Sequence, residues 1–291
     1  MRINRLLCHV PSRRLPGADI LAAAGESRAQ ARIFGKLFGF ESAAAYASPA
    51  EVETAWLELF GQIGAAAAPD AVIEVRGLPL PASLPEHPAL AGARRFRIDQ
   101  FNCAGLFWGL DLAERLLRQG RARRVLLLAG EDSSALPPAH RYWAGCTLIG
   151  DACAALLLDA EPGGARLERP RLARRNQHHQ GLYGAPEETQ AFYQAHDDMV
   201  DALLAQIGFD AERDALLPHN INQLSWVQYS RRRGLALERI RRDLLPAVGH
   251  CYAADPLLLL RRWLDEGEGE AAALLSIGLG AYSGACMARR A

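Results

Sequence analysis

Short apolar runs bounded by turn residues alternate with longer segments of helical periodicity along this 291-residue chain, and the alternation runs through twice. That grammar confines the chain to an α/β layered fold, because a continuously apolar strand needs cover on both faces and helices supply it. In the first pass, Ser48, Pro49 and Glu51 stand as helix cap, first helical residue and capping-box partner, with Val52, Ala55, Trp56, Leu59, Phe60 and Ile63 following at helical spacing. A strand is expected over Ala71 to Val75, and four prolines between Leu78 and Pro88 require an extended loop. Phe96 to Asp99 reads as a strand running into Asn102 and Cys103, Ala104 to Arg118 as a helix closed by Gly120, and Arg124 to Ala129 as a strand buried on both faces. Cys146 to Leu158 is strand-like around an interruption at Gly150 and Asp151, and Glu161 to Gly164 is a turn.

The second pass reads as a helix over Glu187 to Ile207, a strand over Ala215 to Leu217, helices over Gln223 to Arg233 and Pro256 to Asp265, and strands over Ala271 to Ile277 and Gly284 to Arg289. Two similar halves, residues 1–160 and 161–291, are therefore expected. Arg166 to Pro186 is expected to be a surface excursion. A formal net charge of zero and a pI near 7.1 give no overall pull toward nucleic acid or an anionic membrane. Lys36 is the only lysine, so the positive charge is arginine, which reflects coding bias more than phosphate binding. Six scattered cysteines fit a reducing, cytoplasmic setting, and the spacing of Cys146 and Cys153 does not suit zinc. Met1 to Gly17 lacks the apolar stretch of a signal peptide, and no segment approaches the roughly 20 apolar residues of a membrane span.

Chemistry gathers at the loops. Cys103 falls where a strand gives way to a helix, and the unpaired amides at a helix amino end favour a thiolate there. The spacing alone equally fits a small residue packed at a crowded turn. Three further segments favour the reactive reading. Pro218, His219, Asn220, Ile221 and Asn222 follow an apolar strand, at the strand end where α/β folds place chemistry. Gly249 to Ala254, containing His250, precedes a helix started by Asp255 and Pro256. Gly278, Leu279 and Gly280 bend the chain between two strands and bring backbone amides close to a ligand. A cysteine, two histidines and a glycine turn meet the needs of acyl transfer: nucleophile, proton handling and oxyanion donors.

Several of these segments also form an ordered set. Phe101 to Gly105 form an elbow ahead of a Leu-rich helix, and the strand Val125 to Ala129 is followed by Gly130, Glu131 and Asp132. Leu148 to Ala152, then Pro218, His219 and Asn222, then Gly249 to Ala254 complete the set. In this order and spacing they resemble the thiolase superfamily, specifically its β-ketoacyl-acyl-carrier-protein synthase III branch, from about Asp99 to Asp159 and from about Leu216 to Arg289. The resemblance implies a five-layered α/β/α/β/α thiolase fold built from two similar halves. It implies a homodimer with no permanently bound cofactor, receiving its acyl group as a coenzyme A or phosphopantetheine thioester from acyl-CoA or an acyl carrier protein. By position, Cys103 would be acylated and His219 would assist decarboxylation or deprotonation. The Cys103 amide and one from the turn around Leu279 would form an oxyanion hole, Asn222 would position, and Arg141 would approach the cofactor. His250 stands where the family has asparagine, giving a Cys, His, His set like that of the elongating synthases, and Leu279 replaces a glycine.

The leading functional expectation is Claisen condensation of the acyl group on Cys103 with a malonyl-type unit, in fatty acid or polyketide biosynthesis. Two alternatives accompany it: non-decarboxylating transfer to an amine or hydroxyl in secondary metabolism, and a catalytically impaired partner subunit. An exposed arginine is more often a surface charge than a ligand, which weighs against a cofactor role for Arg141. His178, His179 and His196 are expected in solvent, Trp108 and Trp226 in packing, and Asp151 in bonding backbone.

Overall fold

A computed structural model of the chain describes residues 1–64, 67–78, 84–180, 184–278 and 282–290, and of Pro186 the backbone only. The strands are β1 Arg2–His9, β2 Arg14–Pro16, β3 Ser42–Ala44, β4 Ala71–Val75, β5 Arg94–Ile98, β6 Arg124–Gly130, β7 Tyr142–Trp143, β8 Thr147–Leu148, β9 Cys153–Asp159, β10 Arg166–Leu167, β11 Arg171–Arg174, β12 Ala215–Pro218, β13 Ala271–Ile277 and β14 Tyr282–Arg289. The helices are α1 Gly17–Ala23, α2 Arg28–Phe38, α3 Pro49–Ile63, α4 Gly105–Arg118, α5 Pro186–Ile207, α6 Gln223–Arg233, α7 Leu245–Val248 and α8 Asp255–Glu266.

Nine strands lie along one path, β12-β13-β14-β10-β1-β9-β6-β4-β5, with β11 also paired to β14. The path repeats itself about its centre. β4 pairs in parallel with β5 and β6, and β6 runs antiparallel to β9. In the same way β12 pairs in parallel with β13 and bridges Ile240 in parallel through Leu216, and β13 runs antiparallel to β14.

Alternation along the strands builds the layers, since successive side chains leave a strand on opposite faces. Val72, Leu126 and Leu128 pack outward with Trp56, Leu59 and Phe60 of α3. Ile73 and Leu127 face inward, into a cluster shared with Leu110 of α4, Leu257 and Leu260 of α8, and Leu217 and Leu274 of the second half. Leu216, Ala273 and Leu275 face outward again, against Leu203 of α5 and Trp226 of α6. The order is α3, sheet, α4 with α8, sheet, α5 with α6, which is the five-layered arrangement.

The helix cap at Ser48 forms, its hydroxyl accepting from the Glu51 amide at 3.3 Å, but the Glu51 carboxylate reaches back to the amide of Ala47 at 2.6 Å and not to Ser48. Two segments differ from the sequence reading. β1 occupies the middle of the sheet, between β9 and β10. Its pattern is obscured by Arg2 and Arg5; Arg2 is drawn in by the Asp159 carboxylate at 2.7 Å. The expected excursion over Arg166 to Pro186 begins only after Arg174, because β10 and β11 both pair with β14.

The two junctions preceding α4 and α8 are near copies. Each is a single 3-10 turn, Asn102–Ala104 and Tyr252–Ala254. Phe101 (φ −114°, ψ 12°) matches Cys251 (φ −106°, ψ 28°), and Asn102 (φ 48°) matches Tyr252 (φ 50°). Among the described residues Asn102 and Tyr252 are the non-glycine positions in the left-handed region. Such conformations cost about 1–3 kcal/mol and concentrate at functional sites.

Candidate active site

Cys103 sits in the first of these turns, 3% exposed, and the segment Leu148–Gly150 carries the second half's contribution to it. The His250 amide donates to the Leu148 carbonyl at 2.8 Å, and the Gly150 amide donates to the His250 carbonyl at 3.0 Å. Gly150 is obligatory there, since a Cβ would overlap the Val248 carbonyl. So held, His250 places Nε2 3.2 Å from the Cys103 sulfur. Its other nitrogen, Nδ1, lies 2.6 Å from Oδ2 of Asp255, the first residue of α8. Asp255 is fully buried and accepts from the amides of Asn220 at 2.7 Å and Cys251 at 2.8 Å. A carboxylate facing Nδ1 places the ring proton on Nδ1, leaving Nε2 as a lone pair directed at the sulfur. Cys103, His250 and Asp255 thus stand in the geometry that a nucleophile, its base and the base's orienter require.

The thiol itself is less acidic than its place ahead of a helix implies. Burial pushes the Cys103 thiol well above its ordinary range, with the Asp255 carboxylate adding to the rise. Desolvation outweighs the helix end here, so the resting group is a thiol that needs its base. His219 is buried beside them, its ring 6.0 Å from that of His250 and edge-on to Trp226 at 5.8 Å. Burial, followed by the neighbouring His250, holds the His219 imidazolium form well below the ordinary histidine range, so the ring is neutral at pH 7. Among the described residues its Nδ1 has no hydrogen-bond partner.

A cavity of about 920 Å³ opens onto Cys103, His219 and His250 and runs outward between α5 and α6, past Phe192, His196 and Gln228. Asn222 lines it, but both ends of its amide are engaged: Oδ1 caps α6 by accepting from the Ser225 amide, and Nδ2 donates to the Cys146 carbonyl at 3.0 Å. Arg141 requires correction. It is 2% exposed and its guanidinium is bound by Asp151 at 2.8 Å and by the carbonyls of Ser133 and Ile149, so it is neither a surface charge nor directed to the cavity. Asp151 bonds backbone as expected, accepting from the amides of Tyr46 and Ser133. His196 is half-buried on the cavity wall against Asp197, not in solvent. Trp226 packs as expected, fully buried. Leu279 and Gly280 lie outside the described residues; Gly278 borders the cavity and donates its amide to the Tyr282 carbonyl at 2.7 Å. Among the described residues no group of three or more His, Cys, Asp or Glu is placed to hold a metal ion. Asp255 was hidden in the sequence as the Asp of an Asp-Pro helix start; its only signal is its place five residues after His250.

The pattern of the 3-oxoacyl-[acyl-carrier-protein] synthase III family matches residues 99–172, the stretch that carries Cys103. The chain is 29% identical over 157 residues to the β-ketoacyl-[acyl-carrier-protein] synthase III of Rhizorhabdus wittichii, covering 47% of this chain and 49% of that one. Over 99% of both chains it superimposes on the 3-oxoacyl-[acyl-carrier-protein] synthase III of Aquifex aeolicus, with a TM-score of 0.78 at 17% identity. The chain thus has the fold of the synthase III proteins and resembles them in sequence over the part that carries Cys103. The sequence match of this synthase III-like chain thus spans about half the length of the Rhizorhabdus relative, whereas its fold matches throughout. The same fold is found in the acyltransferase ChlB3, with a TM-score of 0.78 at 18% identity over 99% of this chain and 97% of that one. No described helix is long and apolar enough to cross a membrane.

Proposed function

We propose that the chain is an acyltransferase that carries its acyl group on Cys103 and passes it to a hydroxyl or amine activated by His250. The observation that carries this reading is the Asp255 carboxylate on Nδ1 of His250. In the first half-reaction His250 Nε2 takes the thiol proton, the sulfur attacks the donor thioester carbonyl, and the departing coenzyme A or phosphopantetheine thiolate takes the proton from His250. In the second, the acceptor gives its proton to the same nitrogen while its oxygen or nitrogen attacks the Cys103 thioester, and the Cys103 sulfur leaves with that proton. Asp255 fixes the tautomer and stabilises the imidazolium through both halves. The Cys103 amide is proposed as one oxyanion donor.

Decarboxylative condensation is the second reading, favoured by the neutral His219 ring beside His250, which has a ring N–H to offer a developing enolate, and by the synthase III names of the relatives. Intact Cys103, His219 and His250 argue against an impaired partner subunit. A cytoplasmic homodimer supplied by acyl-CoA or acyl carrier protein completes the proposal; among described residues β5 pairs only with β4, so its outer edge is open for a second copy.

The test is intact mass after incubation with a panel of acyl donors, followed by amines and alcohols or a carrier-bound malonyl donor, with carbon dioxide release recorded. Acylation is expected in the wild type and not in Cys103→Ala. Transfer should proceed without carbon dioxide and fall roughly 10²- to 10⁴-fold in Asp255→Asn, which leaves His250 unoriented. Carbon dioxide release matched to product, retained in His250→Asn, would reject this reading in favour of condensation.

A further inference from the structure

The Cys103 sulfur has a second polar neighbour that the mechanism above does not use. Asn102, in the left-handed region at φ 48°, places its side-chain Oδ1 2.9 Å from the sulfur. The amide cannot turn over to present its NH₂ instead, because Nδ2 donates to the Gly77 carbonyl at 3.0 Å and a reversed amide would set two oxygens against each other. Gly77 in turn is fixed. Its amide and that of Leu78 both donate to the buried Glu131 carboxylate, and a Cβ at Gly77 would strike the Tyr252 side chain at 2.7 Å. Oδ1 therefore faces the sulfur through every step.

That oxygen treats the states of the sulfur differently. It competes with His250 Nε2 for the one thiol proton and holds that proton while the thiol rests, it opposes a thiolate, and it gains nothing from a thioester sulfur, which has no proton to give. Resting on the acyl-Cys103 reading, we propose that Asn102 is a positioning residue that stabilises the free thiol against the acyl-enzyme and so drives the second half-reaction at the expense of the first. The proton returned by His250 to the departing sulfur is the one Oδ1 receives, so the bond is regained as the acyl group leaves. The other titratable groups facing Cys103 among the described residues are His250, His219, Asp255, Tyr252, Cys146 and Glu131, none of which is altered in the test.

Two variants of the full chain separate this role from packing. Asn102→Gly keeps the left-handed backbone at no steric cost and removes the acceptor. Asn102→Asp keeps the shape, loses the donor to Gly77 and sets a carboxylate on the sulfur. The first measurement is the pH profile of Cys103 alkylation by iodoacetamide, followed by intact mass. In Asn102→Gly the midpoint should move to lower pH, with alkylation at pH 7 rising roughly three- to tenfold, the scale of one hydrogen bond. In Asn102→Asp the midpoint should move up, which preserves the test should the glycine variant fail to fold. The second measurement is release of a preformed acyl group from Cys103, which should slow by a similar factor in Asn102→Gly. An unmoved or raised midpoint in Asn102→Gly, or unslowed release, overturns the proposal. If no donor acylates the wild type, the acyltransferase reading fails separately, and the alkylation profile still decides the thiol-holding role.

Discussion

His219 shows how one buried side chain makes the stability of the whole depend on pH. Its ring is held neutral well below the ordinary value of 6.5, whereas the unfolded chain takes up a proton there as pH falls past that value. The unfolded state then binds more protons, so stability must decline as pH falls below 6.5, by up to about 1.4 kcal/mol per pH unit from this group. His219→Gln removes the titration. Denaturant melts between pH 7 and 5 should show a shallower decline in the variant than in the wild type; equal slopes would mean the ring is protonated within the fold. Cys103, His219 and His250 were legible in the sequence because each stands at a junction with its own turn chemistry. Asp255 was not, because an aspartate before proline at a helix start is commonplace, and its second role exists only once the loop from His250 folds back over one turn. The acidity expected of Cys103 was misjudged for a related reason: a helix end can be seen in sequence, but the burial that overrides it cannot.

At the level of elements, the segment from β8 to β9 links the two halves' chemistry. Its backbone holds His250 on both sides, through Leu148 and Gly150, and Gly150 has no space for a side chain. Gly150→Ala should push the Val248–His250 backbone away and lengthen the path from Nε2 to the sulfur. The expected outcome is a loss of 10-fold or more in Cys103 acylation rate, since misplacement by an ångström is costly in a reacting set. Wild-type rates in that variant would show that the loop accommodates the methyl. The helices and the fully buried strands β6, β9 and β13 were readable from period and punctuation alone. β1 was not. Only Leu6 in it is fully buried, and the strand is recruited by strand partners 144 to 164 residues away, which no local pattern reports.

On the scale of the molecule, the inner layer belongs to neither half. Ile73 and Leu127 from one side and Leu217 and Leu274 from the other close on α4 and α8 in a single cluster. Calorimetry should therefore show one transition, with calorimetric and van't Hoff enthalpies equal, and Leu127→Ala should cost about 2–5 kcal/mol while leaving the transition single. Two resolved transitions would mean that the halves unfold independently. The matched junctions before α4 and α8 carry a further consequence. Superimposed through their dihedral angles, Ala253 stands where Cys103 stands, and Gly105 where Asp255 stands. One backbone turn, used twice, thus presents a sulfur from one half and a carboxylate from the other, with the His250 ring spanning the gap between them.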